Sequence, residues 1–208
     1  MAFITPVWKN YYKLTMQFIV NKQLVRLLAV LSATSWLLCV PAHVQAEHAL
    51  KVFMASTHTR GDVIYLDAQL EYILSQTAVT ALQSGVPITF KLNVEIFRPR
   101  KWLWDKVISE HAHRYQLSYH ALTQQYLVTN ISSGIQNSYS SREIAMLTMG
   151  RINNLPLVAA TALPQDTELM ARIKVSLDIN ALPTPMRPWA YISADWSLSS
   201  EWYTWEIS

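Results

Sequence analysis

Residues 87–97 read PITFKLNVEIF, and the alternation within them decides the fold. Ile88, Phe90, Leu92, Val94 and Ile96 fall on one side of an extended chain, and Thr89, Lys91, Asn93 and Glu95 on the other. Successive side chains of a strand point to opposite faces, so this run predicts a strand with one buried and one wet face, the pattern of antiparallel sheets. DVIYLDAQLEY (62–72) repeats it, with Ile64, Leu66, Ala68, Leu70 and Tyr72 inward and Asp67, Gln69 and Glu71 outward. ELMARIKVSLD (168–178) repeats it again through Leu169, Ala171, Ile173, Val175 and Leu177. A further strand is predicted over Lys51–Thr57 ahead of Gly61, and RYQLSYHALTQQYLVT (114–129) reads as a tyrosine-rich hairpin.

Two short helices interrupt the strands. Ser75 is placed to cap QTAVTALQS before Gly85, and Ser140 with Glu143 forms an S-x-x-E capping box ahead of IAMLTM and Gly150. With Gly61 and Gly134 in polar turns, all four glycines have local roles, which leaves none to wrap backbone around a phosphate. ALPTPMRPW (181–189) holds three prolines within six residues and predicts an extended arm over 182–189 without sheet hydrogen bonds. The arm leads to an aromatic tail over 193–205, SADWSLSSEWYTW. The fold class expected is mainly β: an antiparallel sandwich-like pair of sheets, or one strongly bent sheet, with two short helices. The alternative is α+β.

The first 46 residues read differently. Lys22 and Arg26 precede the apolar run LLAVLSATSWLLCVPA (27–42), which ends in HVQA before Glu47. Basic region, apolar region and small residues, in that order, make a secretory signal, with cleavage expected after Ala46. The run is shorter than the roughly 20 apolar residues of a membrane span, so an uncleaved inner-membrane anchor is the alternative. Leu38 before Cys39 argues against lipoprotein processing. The leader is long for a signal, and Met16 is the expected true start. Residues 1–46 carry four of the 17 basic residues and none of the 14 acidic ones, so residues 47–208 hold 13 against 14, a net charge of −1. That balance removes the positive field on which nucleic-acid binding depends. The only cysteine is Cys39, so the expected mature domain, residues 47–208, has no disulfide, thiolate metal site or thiol nucleophile.

VPITFKLNVEIFRPRKWLWDK (86–106), YQLSYHALTQQYLV (115–128) and DWSLSSEWYTW (195–205), in this order, resemble domain-of-unknown-function family 4390, made of exported proteins of Gram-negative bacteria. The sharpest matches are Arg98-Pro99-Arg100 with Trp102 and Trp104, Leu117 and Tyr119 before Leu122 and Tyr126, and Trp196 with Trp202. The resemblance implies a periplasmic location and a shared fold, and no activity.

RPRKWLWDK (98–106) is the leading candidate surface. If extended, it sets Arg98, Arg100, Trp102, Trp104 and Lys106 on one face, alternating cations with indoles. The competing reading is that Pro99 bends the strand while the tryptophans close the core. In the tail, Trp196, Leu198, Trp202 and Trp205 are expected to pack back on the sheet as a final strand or clamp; otherwise Trp196, Trp202 and Trp205 are anchors for a partner. His111 and His113 share a strand face, with His120 a possible third ligand, yet a divalent site needs three or four ligands. Half-buried histidines are the simpler reading, and neither metal nor cofactor is expected. Asp67 and Glu71 share an exposed face and are a remote carboxylate pair. No hydrolase or calcium-loop motif is present, and PMRP (185–188) is expected to brace the domain, the alternative being that it engages a proline-reading groove. The expected function is non-catalytic: a binding or accessory module of the cell envelope contacting an envelope or inner-membrane protein, without nucleic acid. The alternatives are an envelope glycan or lipid on the same Trp and Arg residues, and a hydrolase whose site leaves no motif.

Overall fold

The structure, a computed structural model, describes residues 50–164 and 167–207. The leader, the Met16 start and the Ala46 cleavage site lie outside the described residues. Among the described residues the elements run β1 (Leu50–Arg60), β2 (Val63–Tyr72), α1 (Gln76–Gln83), β3 (Ile88–Arg98), β4 (Lys106–His120), β5 (Gln125–Asn130), β6 (Gln136–Tyr139), α2 (Arg142–Met149), β7 (Arg151–Ala159), β8 (Met170–Leu177), α3 (Arg187–Ile192) and β9 (Tyr203–Glu206). The strands form a three-stranded sheet in the order β1-β2-β7 and a six-stranded sheet in the order β6-β5-β4-β3-β8-β9, antiparallel throughout. The domain is therefore mainly β, as its alternation predicts.

β3 is central because it is paired on both edges and its inner side chains are fully apolar. Ile88, Phe90, Leu92, Val94 and Ile96 are buried, and Ala171, Ile173, Val175 and Leu177 of β8 continue the same face. Leu169 falls just short of β8 and is half-buried. Across the core stand Ile64, Leu66, Ala68, Leu70 and Tyr72 of β2, with the Tyr72 ring edge-on to Phe90 at 4.8 Å. Burying such side chains stabilises the fold by roughly 1.5–3 kcal/mol each. β1 and β2 are joined by the two-residue turn Gly61–Asp62, where Gly61 has φ 63°, a left-handed conformation that other residues adopt reluctantly.

Both helices sit where the sequence predicts them. Ser75 Oγ accepts the Ala78 amide at the start of α1. At α2 the cap is Ser141, not Ser140: its Oγ accepts the Ile144 amide, and Glu143 pairs with Arg142. Gly150 ends α2 and gives its carbonyl to the Leu70 amide at 2.8 Å; a Cβ there would collide with the Leu70 carbonyl.

The proline-rich stretch differs from expectation. Instead of an extended arm, residues 179–192 make two 3-10 turns (Ile179–Ala181, Thr184–Met186) and the helix α3. Proline's fixed φ suits the first turn of a helix as well as an extended chain, and Pro185 and Pro188 occupy such positions. β7 gives no alternating signal because Pro156 and register shifts opposite β2 break its period; it is an edge strand, where proline is tolerated.

Candidate functional site

The segment 98–106 is not one extended face. β3 ends at Arg98, β4 begins at Lys106, and these two residues are cross-strand partners closing the hairpin. Pro99–Asp105 is the connecting loop beyond the last sheet pair, so Arg100, Trp102 and Trp104 lie on its tip rather than in a strand. A register shift at Ile96/Phe97 precedes the tip and ends the simple alternation of β3. Trp102 and Trp104 are each 94% exposed and Leu103 is 67% exposed, which removes the reading that these tryptophans close the core.

The base of the tip is tightly held. Arg172 of β8 donates from Nη2 and Nε to Glu95 Oε2 at 2.6 and 2.7 Å. Its guanidinium lies 4.8 Å from the ring centres of both Phe97 and Trp202, a doubly stacked cation. Asp105 Oδ2 stands 3.9 Å from Arg172 Nη1, and Asp105 Oδ1 accepts the Arg100 amide at 3.4 Å. The one carboxylate of the loop is thus turned back toward its root. Among the described residues no carboxylate pairs with Arg98, Arg100, Lys101 or Lys106. Sequence reasoning missed Arg172, because only the β3–β8 register brings Arg172 opposite Glu95.

The aromatic tail is mostly interior. Trp196 is 2% exposed and Leu198 is buried, so Trp196 has no free face for a partner. The tail zips along β8: Leu177 N donates to Leu198 O at 2.9 Å, Ser200 N to Val175 O at 2.8 Å, and β9 completes the sheet edge. Trp205 is half-buried and its Nε1 donates to Thr57 Oγ1 of β1 at 3.2 Å, tying the two sheets together. Asp195 receives Thr77 Oγ1 at 2.6 Å and pins the tail to α1. Trp202 alone of the three faces outward, over Arg172, and it borders a groove of about 410 Å³ also lined by Lys51, Glu71, Ile73 and Tyr203.

His111 and His113 share the inner face of β4, paired with Val94 and Leu92. Burial holds both imidazoles below the ordinary histidine range, and the charge of His111 adds to the effect at His113. Ser109 Oγ meets His111 Nε2 at 2.8 Å, whereas His113 Nε2 is buried without a hydrogen-bond partner. His120 has the opposite strand parity and bonds Thr123, so it does not join them. Among the described residues no group of three or more His, Cys, Asp or Glu is placed to hold a metal ion. Asp67 and Glu71 lie four residues apart on β2, roughly 13 Å along the strand, beyond the spacing of a glycosidase pair. Asp67 is occupied by His58 Nδ1 at 3.0 Å and by the Asn154 amide at 2.8 Å.

A family model described as Domain of unknown function (DUF4390) matches residues 47–206, most of the chain. No curated protein and no solved structure matches.

Proposed function

We propose that this chain, which belongs to the domain-of-unknown-function family DUF4390, is an exported, non-catalytic binding or accessory module of the cell envelope whose contact runs through the β3–β4 tip. The observation that carries the reading is the tip itself: two tryptophans at 94% exposure on a loop whose base is pinned by Arg172. Aromatic side chains left in water at a defined position are the usual anchors of recognition. Export into the periplasm is supported by the order of basic, apolar and small residues over 22–46. The tail belongs to the scaffold in this reading, since it supplies β9 and buries Trp196.

Site-specific photocrosslinking in intact cells tests it. A photoreactive residue replaces Leu103 at the tip or, as a control, Leu122 in the β4–β5 turn, which is more exposed still. A protein or lipid adduct forming at 103 well above the yield at 122 is expected. Equal yields at the two positions would remove the tip as the contact surface.

A further inference from the structure

Resting on that reading of the tip, we propose that its partner is an anionic phospholipid bilayer: Trp102, Leu103 and Trp104 enter the headgroup region while Arg98, Arg100, Lys101 and Lys106 lie against lipid phosphates. Shape is the first reason. The three most exposed apolar side chains of the tip, Trp102, Leu103 and Trp104, are consecutive on one short loop, Pro99–Asp105, beyond the last sheet pair. A stable protein interface takes roughly 20–30 residues and about 800 Å² from each side, more than one such loop presents. A bilayer is soft and is entered by a narrow tip. The residue chemistry is the second reason. Indole has an apolar body and one N–H donor, which suits the boundary between headgroups and acyl chains, and leucine between two indoles adds area that only hydrocarbon or a protein pocket would shelter.

Charge is the third reason, and it selects the lipid. Four cations flank the three apolar side chains, and among the described residues none is paired with a carboxylate. The one acid of the loop, Asp105, is turned back to the Arg100 amide and toward Arg172. The tip therefore presents a positive field although residues 47–208 carry a net charge of −1. Basic side chains beside an aromatic insertion point are drawn to anionic lipid and indifferent to neutral lipid. The hold of Arg172 on Glu95, Phe97 and Trp202 keeps the base of the loop fixed, so little ordering accompanies contact.

The test uses the full chain and vesicles of phosphatidylglycerol and phosphatidylethanolamine whose acyl chains carry bromine near the headgroup. Bromine quenches only tryptophans that enter the bilayer. The native chain is compared with a Trp102→Phe/Trp104→Phe chain, which keeps the tip apolar but removes its fluorescence; the other six tryptophans are common to both. The native chain is expected to lose emission that the double variant does not lose. That difference should shrink at least about threefold in brominated phosphatidylcholine, or in about 0.5 M salt where surface charges are screened. Equal quenching of both chains, or a difference indifferent to lipid charge, overturns the proposal. If quenching is equal and the crosslink at 103 carries a protein, the tip remains the contact surface and its partner is a protein. If quenching is equal and no adduct exceeds the control, the tip reading falls as well.

Discussion

Two tryptophan-rich segments of this chain meet opposite fates. The tip places Trp102 and Trp104 in water, while the tail buries Trp196 and half-buries Trp205. Their local composition is similar, so the difference arises from what each segment can pair with. The tail runs beside β8, whose free edge offers unpaired amides and carbonyls, and Leu198, Ser200 and β9 satisfy them while the indoles settle over the core. The tip leaves the sheet at the Arg98–Lys106 pair, and among the described residues no strand pairs with Pro99–Asp105. An aromatic cluster thus becomes scaffold where a strand edge receives it and a candidate contact surface where none does.

The largest expected effect is at the buried end of this contrast. Trp196→Ala should lower the unfolding free energy by about 3–5 kcal/mol, measured by denaturant titration, because it empties a closed site beneath α1. A loss below about 1 kcal/mol would mean that the tail is only loosely attached and would erase the contrast. His113 lies between the two extremes, on the inner face yet only partly covered. Its folded pKa is depressed, so the unfolded chain binds the proton more readily and stability falls as pH drops below about 6.5. His113→Gln should flatten the slope of unfolding free energy between about pH 7 and pH 5. An unchanged slope would assign the pH dependence to other groups. The smallest effect is at the tip: Trp102→Ala with Trp104→Ala should shift the unfolding free energy by less than about 0.5 kcal/mol, since neither indole packs on the core. A loss of several kcal/mol would return both residues to a structural role.

The strands with unbroken period two are legible in the sequence alone. Every inward residue read for β2 and β3 is buried, and so are four of the five read for β8, because one face of each strand meets the core; the opposite face of β3 is only half-exposed, and Thr89 on it is buried. β7 was not legible, since Pro156 and its register shifts erase the period. The segment 182–189 folds into a 3-10 turn and the start of α3 rather than the expected extended arm, because proline favours an extended chain and a first helical turn alike, and only packing chooses between them. Of the candidate site, the residues at the tip were visible as an Arg- and Trp-rich run. Their projection from the sheet and the support from Arg172 were not, since 77 positions separate Arg172 from Glu95.

The sequence by itself determined the strand class, the inward faces, the places of the first two helices and the family, all of which rest on local periodicity, capping or ordered motifs. Tertiary structure decided which tryptophans are core and which are surface. Alternation fixes only which side of a strand a residue takes; whether another layer or a free strand edge meets that side depends on strands brought together from distant parts of the chain.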